Sequence, residues 1–331
     1  MSDIQNREVF GMNPKVKMEK IINGSYKNIG GLMVQKQGQI VYEKYYHHYD
    51  EASYFHVFSV TKSIISLLIG LAVDEGLIQL EQKILAFFPD YEVKKGETTI
   101  QEITVKNLLT MTAPYRQKKE DYNAYFSSND WVKASLDALG GKDQIGTFRY
   151  SPIIGPDILS AILVKVTGKT VLEYAAEKLF KPLGIEVNQN ITFESAKQQL
   201  DWYKEDKIDG WVAGPTGIHT AGWGLCLKTL DMVKLGELVL KDGKWEGKQI
   251  ISEYWINELK TIHSKWEEWG YSYLWWILDE KQPIYAALGD GGNVIYINEE
   301  KALVVAISGL FQPKVADSIK LIREHIEPIF G

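Results

Sequence analysis

The chain has 331 residues, of which 45% are hydrophobic and 24% are charged, so it is long enough to bury a large core. Its net charge of −6 and the lack of a basic cluster argue against a nucleic-acid partner. A single cysteine, Cys226, excludes an intrachain disulfide framework and a thiolate-based structural zinc site.

The N-terminal residues give no sign of export or of membrane anchoring. They contain no apolar segment of the signal-peptide type, and the longest apolar run, Ile64 to Val73, is too short to span a bilayer. We therefore expect a cytoplasmic protein without a membrane partner, unless a leader has been removed. The sequence leaves the oligomeric state open.

Hydrophobic periodicity and turn residues predict strands at both ends of the chain and helices in its middle. The predicted elements are, in chain order, a helix near 14–28, two strands hinged at Gln37-Gly38, a helix from about Ser59, a helix at 157–166, a helix capped at Thr170, a helix near 229–241, strands at 271–278, 293–298 and 302–308, and a helix near 314–329. This order indicates an α/β (α+β) protein in which both chain ends build one sheet. Residues 1–79 and 206–331 are predicted to form the sheet subdomain, and residues 80–205 an inserted all-helical subdomain.

Ser59 and Lys62 lie three residues apart at the start of a predicted helix. At this spacing two side chains share a helix face, so a serine hydroxyl and a lysine ammonium can form a hydrogen bond. The simpler interpretation is that Ser59 caps the helix and Lys62 is a solvated residue of the first turn. However, a cation there opposes the helix dipole, and the following run IISLLIGLAV is apolar nearly all round, as in buried helices. Because burial disfavours a charged amine, Lys62 is a candidate base for a Ser59 nucleophile.

Ser59-Val-Thr-Lys62 resembles the S-x-x-K motif of serine β-lactamases, penicillin-binding proteins and related esterases. Tyr150-Ser-Pro152 resembles the Y-x-N element of the class C β-lactamase branch, which implies that Tyr150 and Lys62 act as an acid/base pair. A buried core tyrosine is the alternative. The resemblance implies a β-lactamase-like fold, with a central antiparallel sheet flanked by helices and an active site between the two subdomains. Further segments resemble the family in the expected order: 173–185, 222–240 and 289–309.

The third motif of this family, K-T-G or H-x-G, would correspond to Asp290-Gly291-Gly292. The resemblance implies that these glycines allow close approach of a strand to the substrate, and that the Asn293 N–H joins the Ser59 N–H in an oxyanion hole. A hairpin turn is the alternative interpretation of this segment. His219, in a glycine-rich loop, is a further candidate for the cleft.

Two departures from the family pattern bear on the substrate. Asp290 stands where the motif has a cation that helps to hold a substrate carboxylate, and Pro152 replaces the motif's asparagine and lacks its amide side chain. We therefore expect a serine hydrolase that needs no metal or cofactor and is not an efficient β-lactamase. It would act, through a Ser59 acyl-enzyme, on small esters or amides that lack this carboxylate or carry an amine facing Asp290. The alternatives are a D-amino-acid-type peptidase or amidase, and a catalytically silent ligand-binding or sensor domain on the same fold.

Overall fold

The computed structural model describes residues 13–205 and 208–331. Most strands belong to one large sheet, and the others form short two-stranded pairs. The strands are β1 (Ile29–Lys36), β2 (Gln39–Tyr45), β3 (Tyr54–His56), β4 (Asn190–Ile191), β5 (Trp211–Val212), β6 (Cys226–Lys228), β7 (Lys244–Trp245), β8 (Lys248–Gln249), β9 (Ser264–Trp266), β10 (Trp269–Tyr271), β11 (Trp276–Asp279), β12 (Ile284–Gly289), β13 (Asn293–Asn298) and β14 (Leu303–Gly309).

Helices cover the sheet and make up most of the middle of the chain. They are α1 (Pro14–Ser25), α2 (Val60–Asp74), α3 (Val105–Leu109), α4 (Tyr122–Phe126), α5 (Trp131–Ala138), α6 (Asp157–Thr167), α7 (Val171–Ala175), α8 (Lys181–Leu183), α9 (Ala196–Trp202), α10 (Thr229–Leu240), α11 (Glu253–Leu259), α12 (Ser318–Leu321) and α13 (Glu327–Phe330). Within the described part of the chain, no helix is both long and apolar enough to cross a membrane.

The large sheet has eight strands in the order β2-β1-β14-β13-β12-β11-β10-β9, and all neighbours run antiparallel. Strand β14, from the end of the chain, pairs with β1, from its beginning. The prediction of one sheet built from both chain ends is therefore confirmed, together with the mixed helix and strand composition. The predicted division into subdomains stays a prediction, and its boundary at residue 206 and residues 1–12 lie outside the described residues.

Local turn chemistry was predictable where it depends on neighbouring residues. Gln37 and Gly38 join β1 to β2 with positive φ angles of 52° and 79°, as a two-residue hairpin turn requires. Thr170 accepts a hydrogen bond from the Glu173 amide and forms the predicted capping box of α7. Helix α6 ends at Gly168, which adopts the left-handed conformation.

Two parts of the strand prediction were wrong. The segment 271–278 is not one strand, because a turn with Leu274 at a φ of 59° separates β10 from β11. Strand β12 was missed, since its alanines, Ala286 and Ala287, are weak strand formers and its register is fixed by pairing with β13. The hairpin turn that follows β12 is a short 3-10 turn at Asp290–Gly292.

Helix α2 places the candidate nucleophile where the sheet meets the helices. All its residues from Val60 to Ala72 are buried, as the apolar run predicts. The helix packs against α6 on one side and against β12 and β13 on another. Gly70 permits this packing, because a Cβ at that position would come within 2.4 Å of the Trp255 ring.

Candidate active site

Ser59 precedes the first residue of α2, but its hydroxyl does not cap the helix. The preceding residue, Phe58, has a φ of 47°, a conformation that bulky residues rarely adopt and that is often found at functional sites. Ser59 is only partly buried, and its Oγ accepts a hydrogen bond of 2.8 Å from Lys62 Nζ. The interpretation of Ser59 as a simple N-cap therefore does not describe this structure.

Lys62 is almost completely buried, with 1% of its surface exposed. Its Nζ also donates a hydrogen bond of 3.0 Å to the carbonyl oxygen of Gly222, which is 160 residues away in the chain. The alternative interpretation, a solvated lysine in the first turn, therefore does not describe this structure. Its amine is instead held between the candidate nucleophile and a backbone carbonyl.

Tyr150 lies next to this pair. Lys62 Nζ is 5.1 Å from the centre of the Tyr150 ring. The other neighbours of the ring are Trp276, with centroids 5.7 Å apart, and Tyr271, which it meets edge to face. Because Tyr150 is only partly buried, it differs from the core tyrosine considered as its alternative. The structure thus brings the three predicted catalytic residues together.

Gly222 connects the lysine to the tyrosine segment, and the sequence motifs did not point to it. A Cβ at Gly222 would lie 2.5 Å from the Pro152 oxygen and 2.9 Å from Ile153 Cα. Only glycine therefore lets the loop come close enough for its carbonyl to reach Lys62. The available signal was the run Gly222-Trp-Gly224.

Glu120 is a second residue that the sequence did not reveal. Its Oε1 accepts a hydrogen bond from Ser151 Oγ, and that hydroxyl accepts one of 3.1 Å from the Gly155 amide. Burial raises the pKa of Glu120, while the hydrogen bond from Ser151 lowers it. The Glu120 carboxyl group is thus hydrogen-bonded to Ser151, the residue that follows Tyr150 in the chain.

The strand that touches the nucleophile is β12, and the contact is made by Gly289. A Cβ on Gly289 would lie 2.3 Å from the Val57 oxygen and 3.2 Å from the Ser59 nitrogen. The close approach predicted for Gly291 and Gly292 is therefore made by the glycine that precedes Asp290.

Asp290, Gly291 and Gly292 instead form the hairpin turn between β12 and β13, the alternative considered for this segment. Asn293 begins β13 and is completely buried. Its side-chain amide donates a hydrogen bond of 2.6 Å to the Asp290 oxygen, and its Oδ1 accepts one of 3.0 Å from the Gly309 amide. The Asn293 side chain therefore holds the turn in shape.

Asp290 is exposed near a tyrosine of α4, Tyr122. Burial raises the pKa of Tyr122 to about 12, and the carboxylates of Glu120 and Asp290 and the nearby Tyr150 contribute in the same direction. These groups therefore lie close enough to interact, so two acidic side chains lie near the candidate catalytic tyrosine.

His219 does not occupy the predicted place in the cleft. It is completely buried, its Nε2 is 2.8 Å from Asn190 Oδ1, and its ring packs edge-on against Trp211. Burial lowers the pKa of His219 to about 4, so the ring is neutral in this packing role. A glycine-rich loop indicated exposure, but the pairing of this loop with neighbouring strands buries the imidazole.

Comparison with known proteins places the chain in a family. The family model described as Beta-lactamase matches residues 18–319. The 6-aminohexanoate-dimer hydrolase of Paenarthrobacter ureafaciens is 20% identical over an alignment of 270 residues, and the match covers 75% of this chain and 64% of that protein. The chain spans less than two thirds of the length of three curated relatives, 64%, 55% and 56%.

Solved structures show the same fold at low identity. The penicillin-binding protein from Bacillus halodurans superposes with a TM-score of 0.71 at 16% identity, covering 95% of this chain and 99% of that one. EstCE1, a hydrolase with promiscuous acyltransferase activity, gives 0.70 at 16% identity and covers 96% and 97% of the two chains. Because the family match extends over most of the chain, this protein belongs to the beta-lactamase family.

Proposed function

We propose that this protein is a serine hydrolase that forms an acyl-enzyme at Ser59 and acts on small esters or amides. The contact of 2.8 Å between Ser59 Oγ and Lys62 Nζ carries the proposal, since it joins a nucleophile to a buried amine. The names of two similar proteins, a 6-aminohexanoate-dimer hydrolase and EstCE1, a hydrolase with promiscuous acyltransferase activity, support the same chemistry.

The proposed reaction divides the work among three side chains. Lys62 and Tyr150 accept the proton of Ser59 as its Oγ attacks the substrate carbonyl carbon, and the pair then protonates the leaving group. Water then attacks the ester carbonyl carbon of the acyl-enzyme and gives its proton to the pair. As the bond to Ser59 Oγ breaks, the pair returns a proton to that oxygen, and the acid product leaves.

The oxyanion formed in both steps needs two backbone donors. Ser59 supplies one N–H, and we assign the second to Asp290, because Gly289 is the residue of β12 that lies against the Ser59 nitrogen. The motif resemblance alone placed this donor at Asn293, which belongs to the next strand. A single oxyanion-hole donor is worth roughly a hundredfold to a thousandfold in rate.

The two acidic side chains narrow the substrate class. Asp290 is exposed and Glu120 is half-buried, and both act on Tyr122 beside the reaction centre. Carboxylates there repel an anionic substrate and favour a neutral or ammonium-bearing one. We therefore propose neutral or amine-carrying esters and amides, and poor turnover of β-lactams, whose recognition uses a carboxylate.

A fluorophosphonate probe with intact-mass detection tests the nucleophile. We expect one adduct on the wild-type protein, no adduct on Ser59→Ala, and an unchanged adduct on Ser66→Ala. Ser66 is the matched control, since it is a buried serine of the same helix whose hydroxyl has no hydrogen-bond partner among the described residues. No adduct on the wild-type protein at any pH would favour a silent binding domain.

A substrate panel tests the specificity. It contains p-nitrophenyl butyrate, the p-nitrophenyl hemiester of glutarate, D-alanine p-nitroanilide with and without N-acetylation, 6-aminohexanoate dimer and a chromogenic cephalosporin. The neutral ester should exceed the anionic hemiester by at least about tenfold in kcat/KM, and Asp290→Asn should reduce this ratio. Efficient cephalosporin turnover would contradict the proposed specificity.

A further inference from the structure

Asp157 is a buried carboxyl group that the proposed proton transfers do not use. It is the first residue of α6, and 2% of its surface is exposed. Its Oδ2 accepts a hydrogen bond from the Tyr125 hydroxyl, and its Oδ1 accepts one of 2.7 Å from the Ala221 amide. Burying a carboxyl group lowers the free energy of unfolding unless strong hydrogen bonds compensate. We therefore ask what this buried carboxyl group does in the site.

The partner of Asp157 is the residue directly before the lysine's acceptor. Ala221 donates its N–H to Asp157, and the next residue, Gly222, accepts the hydrogen bond of Lys62 through its carbonyl oxygen. A continuous path of contacts therefore leads from Asp157 through two backbone units to the amine beside Ser59.

The same loop also packs directly against the tyrosine segment. Gly222 lies against Pro152 and Ile153, where it has no room for a side chain. This packing prevents the loop from moving towards the tyrosine segment, but it does not prevent movement away from it. The hydrogen bond from the Ala221 amide to Asp157 restrains movement in that direction.

We propose that Asp157 is a positioning residue, which holds the Ala221–Gly222 loop so that the Gly222 carbonyl keeps the Lys62 amine aligned on Ser59. This inference rests on the proposed function, since it concerns the base of that reaction. Without the restraint the loop carbonyl shifts, and Lys62 loses one of its two hydrogen bonds. Because an error of about 1 Å in a catalytic group can cost about a hundredfold in rate, small movements matter here.

The test compares two replacements of Asp157 with a matched control. Asp157→Ala removes the acceptor, whereas Asp157→Asn keeps a side-chain oxygen that can accept from the Ala221 amide. Ser160→Ala is the control, because Ser160 is a buried residue of the same helix and its hydroxyl has no hydrogen-bond partner within the described part of the chain. For each variant we would measure kcat and KM with the best ester, the labelling rate of Ser59, and hydrogen exchange in the peptide that contains Ala221.

Asp157→Ala should lower kcat by at least about tenfold with KM changed by less than about threefold, and it should accelerate exchange of the Ala221 amide. Asp157→Asn should keep kcat within about threefold of the wild type, and Ser160→Ala should match it. If Asp157→Ala does not fold, Asp157→Ser replaces it with the same expected results. The serine oxygen lies one bond closer to the backbone than the carboxyl oxygens do, so it does not reach the Ala221 amide.

Wild-type kcat in Asp157→Ala, or an equal loss of kcat in Asp157→Asn, would overturn the inference. So would unchanged exchange of the Ala221 amide in the alanine variant. Failure of the proposed function looks different, because the wild-type protein itself would then show neither labelling nor turnover.

Discussion

Replacing Asp157 with asparagine should make the stability of the protein less sensitive to pH. Burial raises the pKa of this carboxyl group from 3.8 to about 7, while the Ala221 amide and the Tyr125 hydroxyl act in the opposite direction. A carboxyl group whose pKa is raised by folding contributes stability while it is protonated. That contribution is complete below pH 3.8 and is lost as the pH rises towards and through about 7.

The size of this loss follows from the two pKa values. Integrating the difference in proton binding from about pH 5.5 to about pH 8.5 gives a loss of about 2 kcal/mol in the free energy of unfolding, most of it below about pH 7. Asparagine does not titrate, so the variant lacks this term. Relative to the wild type, Asp157→Asn should therefore gain about 2 kcal/mol across the same range.

Urea unfolding of both proteins at five pH values measures this difference directly. Other buried groups, such as His56 and Asp231, also titrate in this range, but they are present in both proteins and cancel in the comparison. Ser160→Ala should run parallel to the wild type. If the curve for Asp157→Asn is also parallel to that of the wild type, Asp157 is already ionised at about pH 5.5 and the argument from burial is refuted.

Three further replacements test the geometry of the site and of its supporting helix. Lys62→Met should lower kcat/KM for esters by at least about a thousandfold, because it removes the base. It should also raise the melting temperature, because methionine fills the buried space without an amine to desolvate. An active variant would exclude Lys62 as the base. Gly289→Ala should lower kcat by about a hundredfold with KM little changed, because its Cβ would lie 2.3 Å from a backbone oxygen and push β12 away from Ser59. A kcat equal to that of the wild type would refute the assigned oxyanion donor. Gly70→Ala should lower the free energy of unfolding by about 1–3 kcal/mol in urea titrations, since its Cβ meets the Trp255 ring at 2.4 Å. For both glycines the control is Gly24→Ala, where no atom of the residues that the structure describes lies within 4 Å of the added Cβ; an equal effect there would remove the steric explanation.

The sequence predicted the parts of the site that depend on local spacing. Ser59 and Lys62 share a helix face because they are three residues apart, and the apolar run that follows them indicates a buried helix. Tyr150 was found through its resemblance to a family motif. These residues can be recognised because each signal lies within a few positions of the chain.

The residues that were missed or misplaced depend on contacts between distant segments. The sequence does not point to Gly289, because β12 has a weak strand signal and the motif resemblance points to the following glycines as the place of close approach. Gly222 and Glu120 contribute to the site through contacts with residues that are distant in the chain, and no short motif encodes such contacts. His219 was misplaced for the same reason, since its burial results from the packing of a loop against strands.

Lys62 reaches a carbonyl 160 residues further along the chain, and Ser59 lies against a strand that is later still. The reactive centre therefore does not exist in any partly folded form that lacks the later segments. During refolding, the rate at which a fluorophosphonate labels Ser59 would consequently measure how fast these late segments pack against it. Tryptophan fluorescence would instead follow the overall collapse of the chain. The rate of covalent labelling at Ser59 would thus report when folding is complete.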